Sequence, residues 1–450
     1  MESNIQGTKI NKQLFGDDFV WGVSTAAVQI EGAHDFDGKG ESVWDTFVTK
    51  KGKILKNHHH YTATDFYNRY QTDIDLIKQL NIPNFRFSIA WARILPNGTG
   101  EINQAGINFY NRVIDYCLSQ GVEPWLTLYH WDLPHALEVQ GGWTNRTVVD
   151  WFANYVKVCA DAFGDRVKHW MVMNEPAVFT GAGYFLGIHA PGRRGLKNFL
   201  PAIHHAVLSI ATGGRILREA LPDAEIGTTY SCSHIEPYSA KPRDVDAANR
   251  VDALLNRMFI EPGLGLGYPT ELGFLKGMDK YIQPGDMESA KFEFDFIGIQ
   301  NYTRELVKHS FFTPYIYASL VKAEKRGVPL TAMGWEVYPE SVYHILKKYN
   351  QYPQIKKIYL TESGAAFADE VVDDKVHDPK RVAYLQQFLE QVLRAKQEGN
   401  KISGYFIWTL TDNFEWAEGY HPRFGIIYVD FETQQRIVKS SGLWYANLLR

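Results

Sequence analysis

The chain is poor in cysteine, in charge of one sign, in long apolar runs and in glycine-rich phosphate loops, and each shortage removes a class of protein. Its three cysteines, Cys117, Cys159 and Cys232, are widely spaced. An odd, sparse set argues against a disulfide framework or a thiolate zinc site and for a reduced compartment. The 47 Lys and Arg residues stand against 51 Asp and Glu, a formal net charge of −4. No basic field is therefore offered to nucleic acid or to an acidic membrane surface. No stretch approaches the roughly 18 apolar residues of a membrane span, and "MESNIQGTKINKQLFGDDF" has no apolar core of signal-peptide length. The expectation is a soluble, cytoplasmic protein. "GLGLGY" at 263–268 fits neither phosphate fingerprint and reads as a connection. His58, His59 and His60 are adjacent in a polar loop; they lack ligand spacing and read as solvated.

What the chain does have is aromatic surface. Of its residues 45% are hydrophobic and 14% aromatic, with 12 Trp, 25 Tyr and 26 Phe, more than packing requires and suited to a cleft that stacks sugars or flat ligands. Eight short apolar runs recur: "FVWGVSTAAVQ" (19–29), "FRFSIAW" (85–91), "PWLTLYHW" (124–131), "HWMVMNE" (169–175), "EIGTTYS" (225–231), "FDFIGIQNY" (294–302), "KIYLTES" (357–363) and "ISGYFIWTL" (402–410). Between them helical spacing appears, as in Phe66, Tyr70, Ile74, Ile77 and Leu80, or Ile107, Tyr110, Ile114 and Cys117 before Gly121. Asp378 and Pro379 form a helix start ahead of Val382, Leu385, Leu389 and Val392, with Gly399 beyond the end. Unbroken apolar runs are strands covered on both faces, and eight β/α repeats predict a closed (β/α)8 TIM barrel spanning 1–450 as one domain with elaborated βα loops. A doubly wound sheet would need a glycine-rich turn after its first strand, and "AAVQIEG" is not one. The longest connection, about 303–335, is expected over the C-terminal mouth.

In such a barrel the residues ending each strand share one mouth. They are Gln29 with Glu31, Arg86, His130 with Trp131, Asn174 with Glu175, Asn301 with Tyr302, Glu362, and Trp408 followed by "DNFEW". Burying one ionised carboxylate without a partner costs several kcal/mol, roughly, so a lone Glu there reads as a structural pair. Two Glu at like positions of the fourth and seventh strands, among Arg, His, Gln, Tyr and Trp, point to chemistry instead. Paired carboxylates with aromatic platforms and neutral hydrogen-bonders describe a sugar site, and their reaction is glycoside hydrolysis. It needs no cofactor, and no His and carboxylate stand at metal-ligand spacing.

"FVWGVSTAAVQIEG", "RFSIAWARILPNG", "LYHWDLP", "NEP", "LTESG" and "WTLTDNFEWAEGYHPRFGIIYVD" resemble, in order and across nearly the whole chain, glycoside hydrolase family 1, the retaining β-glucosidase family. The resemblance implies that Glu175 is the general acid/base, Glu362 the nucleophile, and Asn174 the holder of the sugar 2-hydroxyl. It implies that Gln29, His130, Glu415 and Trp416 bind the other hydroxyls, that Trp408 is the stacking floor, and that Arg86 and Tyr302 contact the nucleophile. Trp131 and Phe424, within the matching motifs, join the substrate-binding set, and Trp335 falls on the leaving-group side. The implied substrate is a small unphosphorylated β-glucoside, with β-galactosides and β-fucosides allowed; a homo-oligomer is also allowed.

Two positions depart from the family pattern. Ser363 follows the nucleophile where Asn is usual, and "GIQNYT" replaces Asn-Tyr-Tyr with Gln300, Asn301 and Tyr302. Both touch the positioning of the nucleophile and the substrate preference. A 6-phospho-β-glycosidase is the nearest alternative, and Glu415, which would repel a dianion, argues against it. A thioglucosidase would carry Gln in place of Glu175. A sugar-binding barrel that has lost catalysis would need neither carboxylate.

Overall fold

The computed structural model describes residues 10–450. Eight strands close into a parallel barrel: β1 Val20–Ser24, β2 Asn84–Ser88, β3 Glu123–Thr127, β4 His169–Asn174, β5 Glu225–Ser231, β6 Phe296–Gln300, β7 Ile358–Ser363 and β8 Ile402–Trp408. Each pairs with its chain neighbour, and β8 returns to β1 with Trp408 opposite Ser24. Six of the eight lie inside the apolar runs of the sequence, and β2 and β3 each begin one residue earlier, at Asn84 and Glu123. The runs overshoot several of them, because the chain leaves the sheet beyond the strand end: Gln29 sits on the short helix Ala27–Ile30, and Tyr129–Trp131 lie in irregular backbone past the end of β3.

The strands are buried along nearly their whole length, as unbroken apolar runs require of a sheet covered by helices. Helices Phe66–Gln79, Gln104–Ser119 and Pro379–Gln397 bury the faces expected of them. Inside the barrel, Trp125, Met171, Phe296, Tyr359 and Phe406 form a separate apolar cluster. Their rings leave no room for side chains on neighbouring strands: a Cβ on Gly22 would come within 2.3 Å of the Phe406 ring. This plug is the floor on which the functional residues rest, since Arg86 Nε lies 3.0 Å from Met171 Sδ.

The connection after β6 reaches the C-terminal mouth through Thr303, Glu305, Met333 and Trp335 and carries structure of its own: Arg304–His309 pairs with His234–Pro237 and Ala318–Leu320 in a second small sheet, covered by the helix Pro242–Asp252. Its strand "RELVKH" has one half-solvated face and so lacks the apolar run that marks a barrel strand. One expectation needs correction: His60 is not solvated. It is buried, with Nε2 3.0 Å from Asp45 Oδ1. Against the upward push of burial, Lys39 and His60 hold Asp45 well below the usual carboxylate range. The partner that makes burial possible lies fifteen positions upstream, outside the local pattern. His59 is exposed and His58 partly so. Among the described residues no group of three or more His, Cys, Asp or Glu is placed to hold a metal ion, and no helix is long and apolar enough to cross a membrane.

Candidate active site

The C-terminal mouth of the barrel holds a cavity of about 320 Å³. Ten of the thirteen candidate residues line it: Glu175, Glu362, His130, Trp131, Tyr302, Trp335, Trp408, Glu415, Trp416 and Phe424. Arg86, Asn174 and Gln29 stand one layer behind, fully buried and hydrogen-bonded to the wall.

Local backbone irregularities aim both carboxyls. Pairing of β4 with β5 slips between Met171 and Asn174, and pairing of β7 with β6 slips between Leu360 and Glu362. Such bulges re-aim the residues that follow them. Glu175 is then held in the left-handed region (φ 44°), its N–H donating to the Thr229 carbonyl at 3.0 Å and Pro176 starting a short helix after it. Trp131 (φ 77°) and Trp416 (φ 48°) share this conformation. Left-handed backbone in non-glycine residues costs of order 1–3 kcal/mol each and gathers at functional sites.

The surroundings of the two carboxyls differ. Glu362 Oε1 accepts from Arg86 Nη1 at 2.6 Å and Gln300 Nε2 at 2.7 Å, and its Oε2 accepts from Tyr302 Oη at 2.7 Å. Burial raises Glu362, while Arg86 and Tyr302 work to lower it. Glu175 has no such cage. Burial and then the charge of Glu362 push it well above the ordinary carboxyl value, opposed by the Ser231 hydroxyl and the Arg86 charge. Donors to the charged form favour ionisation, and burial beside a like charge favours the proton. The pair therefore keeps its proton on Glu175.

Asn174 is fixed from four sides. Its Oδ1 accepts from Arg86 Nη2 at 2.5 Å, Gln300 Nε2 at 2.7 Å and Thr229 Oγ1 at 2.8 Å, which leaves its amide nitrogen to donate to His130 Nε2 at 2.9 Å. His130 is thus the tautomer protonated at Nδ1, and that buried nitrogen has no protein partner. Burial and Arg86 keep its ring neutral, well below the ordinary value. Gln29 Nε2 donates to Asn413 Oδ1, the Phe414 carbonyl and Glu415 Oε2 at 3.1, 3.0 and 3.2 Å, leaving its Oε1 unmatched. A buried donor and a buried acceptor without protein partners are what a polyhydroxylated ligand would satisfy.

Aromatic rings make up much of the rest. Trp131 and Trp416 lie 4.5 Å apart between centroids, with Trp131 Nε1 donating to the Asn174 carbonyl at 2.9 Å. Trp408, Phe424, Tyr302 and Trp335 pack together in a second group. Burial and Glu362 raise Glu415 to about 8, so near neutral pH it holds its proton. This tempers the charge repulsion expected of Glu415 toward a dianion. A stronger argument replaces it: no Lys or Arg is among the residues lining the cavity, so a phosphate would find no cation there.

The sequence reading missed several wall residues. Gln300 entered it only as a departure, yet it bridges Glu362 and Asn174. Ser231, His189 and Glu305 also line the cavity. Ser231 ends a barrel strand and was visible in principle. His189 lies on a βα loop and Glu305 on the small-sheet strand Arg304–His309 inserted after β6, where no barrel periodicity marks a position as facing inward.

A closed β/α barrel whose aromatic mouth joins two carboxyls of unequal environment has the form of a carboxylate-pair glycoside hydrolase. The chain belongs to glycosyl hydrolase family 1, whose family model matches residues 11–450. It is 44% identical over 444 residues to Beta-glucosidase A of Thermotoga maritima, covering 98% of this chain and 99% of that one. It is also 34% identical to a 6-phospho-beta-galactosidase of Clostridium acetobutylicum, covering 96% of each chain. In structure it is similar to the beta-glucosidase from Thermotoga maritima in complex with glucoimidazole, with a TM-score of 0.92, 43% identity and coverage of 96% of this chain and 98% of that one.

Proposed function

We propose that the chain is a retaining β-glucosidase acting on unphosphorylated β-glucosides, with Glu362 as nucleophile and Glu175 as general acid and base. The observation that carries this is the unequal setting of the two carboxyls: three donors on Glu362, and burial beside a like charge on Glu175. In the first step Glu362 attacks the anomeric carbon while Glu175 gives its proton to the departing oxygen. The glycosyl ester so formed carries no charge on Glu362. The repulsion that, together with burial, kept Glu175 protonated is then gone, and Glu175 takes a proton from the incoming water that hydrolyses the ester. Asn174, locked by Arg86, Gln300 and Thr229, holds the 2-hydroxyl with its remaining amide hydrogen. His130 Nδ1, Gln29 and Glu415 take the other hydroxyls, and Trp408 is the floor beneath the ring. The cation-free lining supports glucose over its 6-phosphate, and the three free, buried cysteines support a cytoplasmic placement.

Proton NMR of the first-formed sugar tests the mechanism. A β-glucoside should release the β anomer; initial appearance of the α anomer would end the retaining reading, because inversion needs carboxyls about 6.5–9.5 Å apart with water between them. An aryl β-glucoside should be turned over well and its 6-phosphate hardly at all; the reverse preference would replace the substrate class and leave the roles of the two Glu intact.

A further inference from the structure

Beside the catalytic cavity lies a second chamber of about 460 Å³ whose chemistry is the opposite of its neighbour's. No charged side chain lines it, whereas five carboxyl-bearing residues, Glu175, Glu305, Glu362, Glu415 and Glu418, line the cavity. Its walls include Phe185, Leu186, Phe199, Leu254, Met258 and Phe274. The two spaces share Val178, Ser231 and Ser233.

Their junction is placed by the chemistry. Glu175 begins the short helix Pro176–Thr180, and Ala177, Val178, Gly181 and Ala182, along that helix and the π-helical turn after it, all face the chamber. The oxygen that Glu175 protonates belongs to the leaving group, so whatever is attached to that oxygen starts at Glu175. The continuation that is lined, unoccupied by protein and free of charge runs past Val178 into the chamber. π-Helical turns are rare and concentrate at functional sites, and two of them, Gly181–Leu186 and Ala253–Arg257, contribute wall residues.

We infer that the chamber binds a linear or extended apolar aglycone, so that the substrates taken best are alkyl-type β-glucosides rather than disaccharides. The inference rests on the glycosidase reading above and names the aglycone class of the same site. A second sugar would find only the hydroxyls of Ser231, Ser233, Thr313 and Tyr315 as side-chain partners among these walls, and each sugar hydroxyl left unmatched is costly, whereas an alkyl chain gains by leaving water.

The test compares n-octyl with methyl β-glucoside. The wild-type kcat/KM ratio should favour the octyl compound by on the order of a hundredfold. Leu186→Asp, at a half-exposed position on the chamber rim, and Ala182→Trp, which fills the chamber, should each cut that ratio at least about tenfold while leaving methyl glucoside turnover within about twofold. Equal efficiencies on the two glucosides in wild type overturn the inference, as does an octyl preference that survives both substitutions. If neither glucoside were turned over, the glycosidase reading would fall separately. The chamber would then be judged by calorimetric binding of octyl β-thioglucoside, which must still weaken in Leu186→Asp; unchanged binding overturns it.

Discussion

The ion network around Lys439 and the carboxyl cluster at the barrel mouth both take charge out of water, and they balance it differently. In the network, Lys439 Nζ pairs with Asp369 at 2.6 Å and Asp412 at 2.7 Å, Arg381 pairs with Asp369 and Asp378, and Arg423 reaches Asp412 at 2.7 Å. Three carboxylates thus face three cations. At the mouth, Glu175, Glu362 and Glu415 share one guanidinium, that of Arg86, which touches Glu362 alone among them. The network meets the requirement that buried charges be paired. The mouth departs from it, and burial together with the excess negative charge raises the proton affinity of Glu175 and Glu415. The two regions are joined: Asp412 precedes Glu415 by three residues, and Arg381 donates to the Arg423 carbonyl at 2.6 Å, next to Phe424. Fully paired charge holds in place the loop that carries unpaired charge.

This contrast can be broken most severely at the mouth. Glu362→Ala should abolish turnover of every glycoside, by at least about 10⁴-fold. Glu175→Ala should spare the glycosylation step for a dinitrophenyl glucoside, whose leaving group needs no proton, and cripple it for an alkyl glucoside. Pre-steady-state burst kinetics on the two leaving groups decide the matter, and equal damage to both removes Glu175 from the acid role.

In the network the expected loss is in stability. Lys439→Met leaves Asp369 and Asp412 short of a cation in a dry site and should lower the unfolding free energy by about 3–5 kcal/mol, read from denaturant unfolding. A neutral result would mean that the network tolerates unpaired charge as the mouth does, and the contrast would collapse.

The smallest effect sharpens the comparison through pH. The folded protein holds the Glu415 proton up to about pH 8, whereas the unfolded chain releases it near the ordinary carboxyl value of about 4.3. Between those limits the folded state binds the extra proton, so this group makes stability fall as pH rises, by up to about 1.4 kcal/mol per pH unit. Glu415→Gln should remove that part of the slope: its stability matches wild type near pH 5 and exceeds it progressively toward pH 8. Parallel stability–pH curves for the two proteins would show that Glu415 is ionised in the folded state after all.

The barrel was legible because its strands are buried on both faces and its helices on one, so burial writes the architecture into the order of residue types. Glu175 and Glu362 were legible for a related reason: a carboxyl ending an apolar run contradicts its surroundings. What escaped lies where neighbours distant in sequence decide. His60 becomes buried through Asp45, Gln300 gains its bridging role through Glu362 on the adjacent strand and Asn174 two strands away, and Arg304–His309 finds a sheet through His234–Pro237. The slips at Met171–Asn174 and Leu360–Glu362 are invisible for the same reason, being properties of a pair of strands and not of either one.

The left-handed backbone at Trp131, Glu175 and Trp416 bears on how this protein should be engineered. Glycine adopts that conformation about as readily as any other, so at these three positions the residue that best suits the chain and the residue that suits the sugar are different. A library screened for heat resistance alone would drift toward glycine or asparagine at 131, 175 and 416 and would report success while emptying the pocket. Selection for a hardier catalyst from this scaffold has to score turnover in every round, and the most informative clones are those that gain melting temperature with these three residues unchanged.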